Sequence, residues 1–176
     1  MTRTKAKKLP KTIIPIKYSI NLTPNLNDFS FSGEEFIKLD ILKTTKVICI
    51  NSVDLEIHEC YLKYKNNYKI KPVDLKYDAN AEFLFINFDI NIKPGEATLF
   101  IKFSGEILDK LRGFYRSEYV DPEGKVKNIA TTQFEPTDAR RAFPCWDEPS
   151  FKAKFKISLI IPAQLEAISN MPIEEI

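Results

Sequence analysis

The feature of this chain that most restricts its fold is the alternation of apolar and polar side chains with a period of two. In the segment 151–159, every second residue is apolar, and Lys or Ser fills the positions between. Successive side chains of a β-strand point to opposite faces of a sheet, so this pattern predicts half-buried antiparallel strands with one apolar face. Similar alternation is present in the segments 18–22, 37–41, 84–90 and 99–103.

Turn-forming residues between these segments indicate many short strands. In 121–124, Asp-Pro-Glu-Gly, Pro122 suits the second position of a type I turn and Gly124 suits the fourth. This turn predicts a hairpin in which strand 113–120 returns along strand 126–135. Many short strands with frequent turns are typical of an all-β fold, here an antiparallel β-sandwich. Further turns are predicted at Pro24-Asn25, Asn66-Asn67 and Pro94-Gly95.

One short helix is predicted near residue 140. Thr137 is a suitable N-cap, and Asp138 would lie near the positive end of the helix. Pro144 would end the helix, because the residue before a proline avoids the helical conformation.

The composition indicates one domain with a substantial core and no charge excess. The 176 residues are 44% hydrophobic, and 26 basic against 24 acidic residues leave a net charge of +2, which gives no electrostatic case for nucleic acid. The basic segment 1–8 is not followed by the apolar run of a signal peptide, and no segment approaches the roughly 18 apolar residues of a membrane span. We therefore expect a disordered tail at 1–8 and a cytoplasmic protein without a membrane partner.

The three cysteines, Cys49, Cys60 and Cys145, are expected to be buried free thiols. Their number is odd and their spacing matches no zinc-binding pattern. In a reducing compartment, free buried thiols are the default state of such residues.

Gln133 and Glu135 form the candidate binding pair of this sequence. In an extended backbone, residues two apart point the same way, so both side chains would share one face, opposite Phe134. A carboxylate beside an amide is suited to hold a cationic amine and the polar backbone next to it. The alternative is that both are exposed polar residues at the end of a strand, without a ligand.

The segment 131–153, TTQFEPTDARRAFPCWDEPSFKA, resembles the signature of the amino-terminal domain of the zinc aminopeptidases related to aminopeptidase N, and within them the puromycin-sensitive branch. The resemblance extends over residues 9–172, nearly the whole chain, so 9–176 is expected to be one such domain. Further matching pieces occur in the family's order: Phe31-Ser32-Gly33, Phe103-Ser104-Gly105, 113–117 (GFYRS) and 168–172 (ISNMP).

The resemblance implies a saddle-shaped β-sandwich that leans on a separate thermolysin-like catalytic domain. Family members continue beyond this length, so a last strand or strands are expected to be missing. The resemblance also implies that Glu135 binds the free α-ammonium group of a peptide substrate. Gln133 would line the first subsite and contact the substrate near its first residue.

The sequence provides no catalytic zinc site of the family's type. Such a site needs two histidines in an H-E-x-x-H motif, whereas this chain has the single histidine His58 and also lacks the family's G-x-M-E-N motif. We expect no catalytic residue and no bound cofactor here, zinc belonging to the parent family, and no activity from this chain alone. The predicted function is the substrate-anchoring domain of a zinc aminopeptidase; the alternative is a non-catalytic binding or scaffold module.

Two further groups of residues have a functional and a structural interpretation. His58 and Cys60, two apart in a strand-like segment, resemble half of a metal site, but a solvated or hydrogen-bonded histidine is the expected role. A charged cluster between 138 and 148 suggests an anion site or, as we favour, a structural salt-bridge network packed around Phe143 and Trp146. The charged residues of this cluster are Asp138, Arg140, Arg141, Asp147 and Glu148.

Overall fold

The chain is described by a computed structural model that covers residues 8–64 and 68–176. The predicted tail, apart from Lys8, and the predicted turn at Asn66-Asn67 lie outside the described residues. The described strands are β1 (Ile13–Asn25), β2 (Ser30–Ile41), β3 (Thr45–Asn51), β4 (Leu55–Tyr64), β5 (Lys69–Ile70), β6 (Asp74–Asp78), β7 (Phe83–Ile92), β8 (Gly95–Glu106), β9 (Gly113–Val120), β10 (Val126–Gln133) and β11 (Lys154–Leu159).

The strands form three sheets around one hydrophobic core, which confirms the predicted all-β fold. A six-stranded sheet has the order β11-β1-β2-β8-β4-β5, a three-stranded sheet has the order β3-β7-β6, and β9 and β10 form a two-stranded ribbon. The inner faces of the two larger sheets contribute to one core cluster, because every second residue along their strands is apolar and points inward. All pairings are antiparallel among the described strands except that of β11, which runs parallel to β1.

Two apolar stretches depart from the simple alternation. The predicted inner face of β7 includes Ile90, which is 41% exposed, whereas Ile92 is fully buried. The β3–β7 register shifts between the pairs Thr45–Ile92 and Val47–Asn87, so Ile90 lies in an irregular stretch of β7 and leaves the inner face, which Ile92 rejoins. In β11, Phe155 and Ile157 share the inner face with β1 but are 54% and 52% exposed, because the described residues leave this edge of the sheet uncovered.

The β9–β10 hairpin forms as predicted, although β10 ends at Gln133 and not at Glu135. The N–H of Gly124 donates to the carbonyl of Asp121 at 2.9 Å, which closes the predicted turn. Gly124 has φ +82, a conformation that glycine adopts without strain.

The predicted short helix is a single 3₁₀ turn, Ala139–Arg141, and its predicted cap is wrong. The N-cap is Asp138 rather than Thr137, and no side chain caps the turn. The Asp138 carboxylate is instead bound by Arg141 Nε at 2.9 Å. The turn also ends before Pro144, with Ala142 at its C-cap. In the described ranges, no helix is sufficiently long and apolar to cross a membrane.

Candidate functional site

Gln133 and Glu135 lie at one end of the β9–β10 ribbon. Gln133 is the last residue of β10, is exposed and pairs with Gly113 of β9. Glu135 lies in the turn that follows and is also exposed, and its peptide bond to Pro136 is cis. The extended backbone assumed from the sequence therefore stops before Glu135, but both side chains remain on the solvent side of the chain.

The residue between them, Phe134, attaches this segment to the core. Its ring is half-buried and makes an edge contact with Phe143, with centroids 5.9 Å apart. Its carbonyl accepts a 2.9 Å hydrogen bond from the N–H of Asp138. The exposed residues Gln133 and Glu135 thus flank an inward-packed aromatic residue, which holds their backbone in a defined position.

Arg140 connects the segment after Glu135 to the three-stranded sheet. Its side chain is 8% exposed; Nε donates to Asp147 Oδ2 at 2.9 Å and Nη1 donates to Glu82 Oε2 at 2.7 Å. Its remaining donor group, Nη2, contacts the carbonyl of Asp147 at 3.1 Å. A guanidinium that is buried and surrounded by acceptors is a structural crosslink.

Arg141 forms a second crosslink beside the first. Its Nε donates to Asp138 Oδ1 at 2.9 Å and its Nη1 to Asp54 Oδ2 at 2.5 Å, and Nη2 lies 3.5 Å from Glu82 Oε1. Glu148 is bound elsewhere, since its Oε1 accepts a 2.6 Å hydrogen bond from the N–H of Leu9. The structural interpretation is therefore confirmed for Asp138, Arg140, Arg141 and Asp147, whereas Glu148 lies outside this salt-bridge network.

The segment that follows the arginines is fixed by buried hydrogen bonds. The N–H of Trp146 donates to the hydroxyl of Tyr18 at 3.1 Å, and the N–H of Asp147 donates to Asn51 Oδ1 at 3.1 Å. Asn51 and Cys145 exchange two backbone hydrogen bonds, at 2.7 and 3.0 Å. Trp146 is 5% exposed, so its predicted role as a core anchor is confirmed, and the same holds for Phe143.

The three cysteines are free and buried, as predicted. Burial raises the pKa of the Cys49 thiol to about 11 and that of Cys60 to about 12. Burial also raises the pKa of Cys145 well above its ordinary value. At neutral pH these side chains are therefore thiols and not nucleophilic thiolates.

His58 does not form a metal site with Cys60. The β4–β8 register shifts between Ile57 and Glu59, so His58 is the bulged residue, exposed to solvent, whereas Cys60 is buried in the core. His58 Nε2 lies 2.7 Å from Ser104 Oγ, a hydrogen bond that fits the expected role. In the part of the chain that the structure describes, no three His, Cys, Asp or Glu side chains are placed to hold a metal ion.

A surface groove of about 860 Å³, which no sequence pattern predicted, lies next to the candidate pair. Two of its lining residues, Arg112 and Phe114, flank Gly113, the β9 partner of Gln133; Gln133 and Glu135 themselves do not line it. The groove is assembled from separate strands and loops, which no local sequence pattern reveals. Its charged lining residues are Asp54, Glu56, Glu106, Lys110, Arg112 and Arg141.

Comparison with known proteins identifies the family of this fold. The family model described as Peptidase M1 N-terminal domain matches residues 14–176 of this chain. The chain is 41% identical over 166 residues to Aminopeptidase M1-D of Oryza sativa subsp. japonica, covering 94% of this chain and 19% of the relative. It is 40% identical over 167 residues to Puromycin-sensitive aminopeptidase of Caenorhabditis elegans, covering 95% and 18%.

A bacterial relative shows the same relationship. The chain is 36% identical over 170 residues to Aminopeptidase N of Acetobacter pasteurianus, covering 97% of this chain and 46% of that protein. The chain thus spans about a fifth of the plant and nematode relatives and under half of the bacterial one. On the family match and the all-β fold together, this chain belongs to the family of Peptidase M1 N-terminal domains.

Proposed function

We propose that residues 9–176 are the substrate-anchoring domain of a cytoplasmic zinc aminopeptidase. Glu135 binds the α-ammonium group of a peptide with a free amino terminus, and Gln133 contacts the peptide near its first residue. The zinc and the groups that cleave the peptide bond belong to a catalytic domain that packs against this one. Here the residues bind and orient the substrate.

The observation that carries this proposal is the free carboxylate of Glu135. The other charged side chains of the described segment 135–148 already have partners. Ion pairs within the segment or with nearby acids engage Asp138, Arg140, Arg141 and Asp147. The Glu148 carboxylate accepts a hydrogen bond from a backbone N–H. No described residue forms a hydrogen bond or ion pair with Glu135. An exposed carboxylate on a fixed backbone, without an internal partner, is available for an external cation.

The local structure supports a specific geometry for such a contact. Phe134 packs on Phe143 and the two arginine crosslinks hold the following turn, so little backbone entropy would be lost when a ligand binds. A hydrogen bond to a charged group contributes about 1.5–3 kcal/mol. This contribution is absent for a peptide whose amino terminus is acetylated, so the proposal predicts a preference for free amino termini.

The uncovered apolar edge of the six-stranded sheet supports the proposed contact with a catalytic domain. Phe155, Ile157 and Leu159 are between 41% and 54% exposed although they lie on the core side of β11. A contiguous exposed apolar patch is typical of an interaction surface.

A chimeric enzyme tests the proposed function. This domain would replace the matched part of Puromycin-sensitive aminopeptidase of Caenorhabditis elegans, to which it is 40% identical. If the chimera is active, Glu135→Gln is expected to lower kcat/KM for free peptides by roughly 10- to 100-fold, mainly through KM. Glu118→Gln, which removes an exposed carboxylate from the same ribbon, is the matched control and is expected to have no effect.

The alternative function, a non-catalytic binding or scaffold module of the same family, gives the opposite result. A scaffold has no use for an amine-binding carboxylate, so Glu135→Gln would then change neither KM nor the selectivity for free over acetylated peptides. Equal kinetics of Glu135→Gln and Glu118→Gln would therefore contradict the anchoring role.

A further inference from the structure

Glu35 is a carboxylic acid sealed within the hydrophobic core. It lies in β2, where it pairs with Ile20 of β1 on one side and Ile101 of β8 on the other. The residue is 0% exposed. Both carboxyl oxygens lack a hydrogen-bond partner among the described residues. A buried ionised carboxylate without a partner is very costly, so the side chain is expected to be neutral in the folded domain.

The groups that face Glu35 offer no charge to stabilise an anion. They are Tyr18 on β1, Cys60 on β4 and Cys145 on the segment that follows the 3₁₀ turn. Burial raises the pKa of each of these groups, so all three are neutral at neutral pH. Ionisation of any of them would oppose ionisation of Glu35 and not assist it.

The charged residues that act on this cluster are Arg140, Asp147 and Glu59, and Glu59 adds only negative charge beside Cys60. Arg140 and Asp147 interact with Cys145, and Asp147 also interacts with Tyr18. These two residues bind each other at 2.9 Å, and Arg140 is further held by Glu82 at 2.7 Å. No free cation in the described core is therefore left for Glu35.

We propose that Glu35 is a proton-binding site of the folded domain. Folding at neutral pH therefore takes up one proton, and alkaline pH destabilises the folded state. In the folded state, burial alone raises the pKa of Glu35 well above its ordinary value, whereas in the unfolded chain the carboxyl titrates normally. The folded state therefore binds more protons than the unfolded state between these two pKa values. The stability contribution is complete below the ordinary glutamate pKa, falls as the pH rises and is lost above the folded-state pKa.

Ionisation of Glu35 is expected to disturb the hydrogen bond that holds the segment following the candidate site. Tyr18 faces Glu35, and its hydroxyl accepts the hydrogen bond from the N–H of Trp146. Trp146 is the single tryptophan of the chain, so its fluorescence reports on this contact. Proton binding by Glu35 is independent of whether Glu135 anchors a peptide.

The experiment is urea denaturation of the full chain at a series of pH values from about 5 to about 9, followed by Trp146 fluorescence. Wild type and Glu35→Gln are compared, with Glu34→Gln as the matched control from the same strand. Glu34 is half-buried on the other face and pairs with Lys102 at 3.2 Å. Relative to Glu35→Gln, the folding equilibrium constant of wild type is expected to fall by up to about tenfold per pH unit.

Glu34→Gln is expected to keep the steep pH dependence of wild type. Equal pH dependence of wild type and Glu35→Gln would overturn the proposal. A second measurement needs no variant of position 35: in the wild-type chain with ¹³C-labelled glutamate carboxyls, one carboxyl should keep the chemical shift of a protonated acid at neutral pH. Normal titration of every glutamate carboxyl would contradict the proposal even if Glu35→Gln failed to fold.

Discussion

The N–H of Trp146 donates a 3.1 Å hydrogen bond to the hydroxyl of Tyr18, 128 residues earlier in the chain. This bond joins β1, in the six-stranded sheet, to the segment that follows the 3₁₀ turn. Both residues are buried, at 5% and 1% exposure, so neither polar group has access to water. The position of the segment after the 3₁₀ turn is therefore set in part by a tertiary contact.

Tyr18→Phe tests this contact. The change removes the hydroxyl and leaves the buried N–H of Trp146 without an acceptor, so we expect the free energy of unfolding to fall by about 1–3 kcal/mol. Urea denaturation measures the effect. Tyr64→Phe is the control, because the Tyr64 hydroxyl bonds the backbone of Lys93 at 3.1 Å in an exposed position and should cost less. Equal stability of Tyr18→Phe and wild type would exclude this role for the hydroxyl.

Arg140→Met tests the buried crosslink between the 3₁₀ turn and the three-stranded sheet. The substitution leaves the carboxylates of Asp147 and Glu82 without their cation, and removal of one partner from a buried ion pair costs about 3–5 kcal/mol. Since Glu82 is 34% exposed, we expect the low end of this range. The comparison is Lys102→Met, which breaks a surface pair with Glu34 and should cost less than about 1 kcal/mol. Similar losses in both variants would contradict a structural role specific to Arg140.

Gly113→Ala tests the close packing between the ribbon and the 3₁₀ turn. Gly113 has φ +68, and an added Cβ would lie 2.7 Å from Arg141 Cβ. We expect thermal denaturation to show a loss of stability larger than the roughly 1 kcal/mol cost of backbone strain alone. Gly124→Ala provides that reference, because Gly124 has φ +82 and nothing lies within 4 Å of its added Cβ. Equal losses of stability at the two positions would show that the contact with Arg141 adds nothing to the cost of the Gly113 substitution.

The cysteines provide a prediction about thiol reactivity. Since the pKa of Cys49 is raised to about 11 and that of Cys60 to about 12, the thiolate fraction at mildly alkaline pH is very small in the folded chain. A thiol reagent such as dithionitrobenzoate should react slowly with the native chain and rapidly in denaturant. Rapid labelling of any cysteine under native conditions would mean that its position is more open than the structure shows.

The alternation of apolar residues predicted strands such as β2 and β8 because both pair along their whole length and bury one face. The pattern failed at Ile90, because a bulge depends on the partner strand and not on the strand's own sequence. It also predicted a half-buried β11, but alternation indicates only which residues share a face and not whether another layer covers them. Counting back by two from Ile37 places Glu35 on the inner face, so the sequence contained a signal for this buried acid.

The candidate site was predictable in part. The exposure of Gln133 and Glu135 on either side of an inward-packed Phe134 agrees with the alternation. The end of β10 at Gln133 was not predictable, because it depends on the packing of Phe134 against Phe143 and on its carbonyl contact with Asp138. The arginine network was likewise evident only in part, since Glu82 and Asp54 join it from distant segments.

The most direct test of the anchoring role is an NMR titration of the 176-residue chain with a dipeptide amide, compared with its amino-terminally acetylated form. We predict that the free peptide shifts the backbone resonances around Gln133 and Glu135, that the acetylated peptide does not, and that Glu135→Gln abolishes the shifts. Equal shifts with both peptides, or shifts that persist in Glu135→Gln, would contradict the assignment of Glu135 as the group that binds the amine.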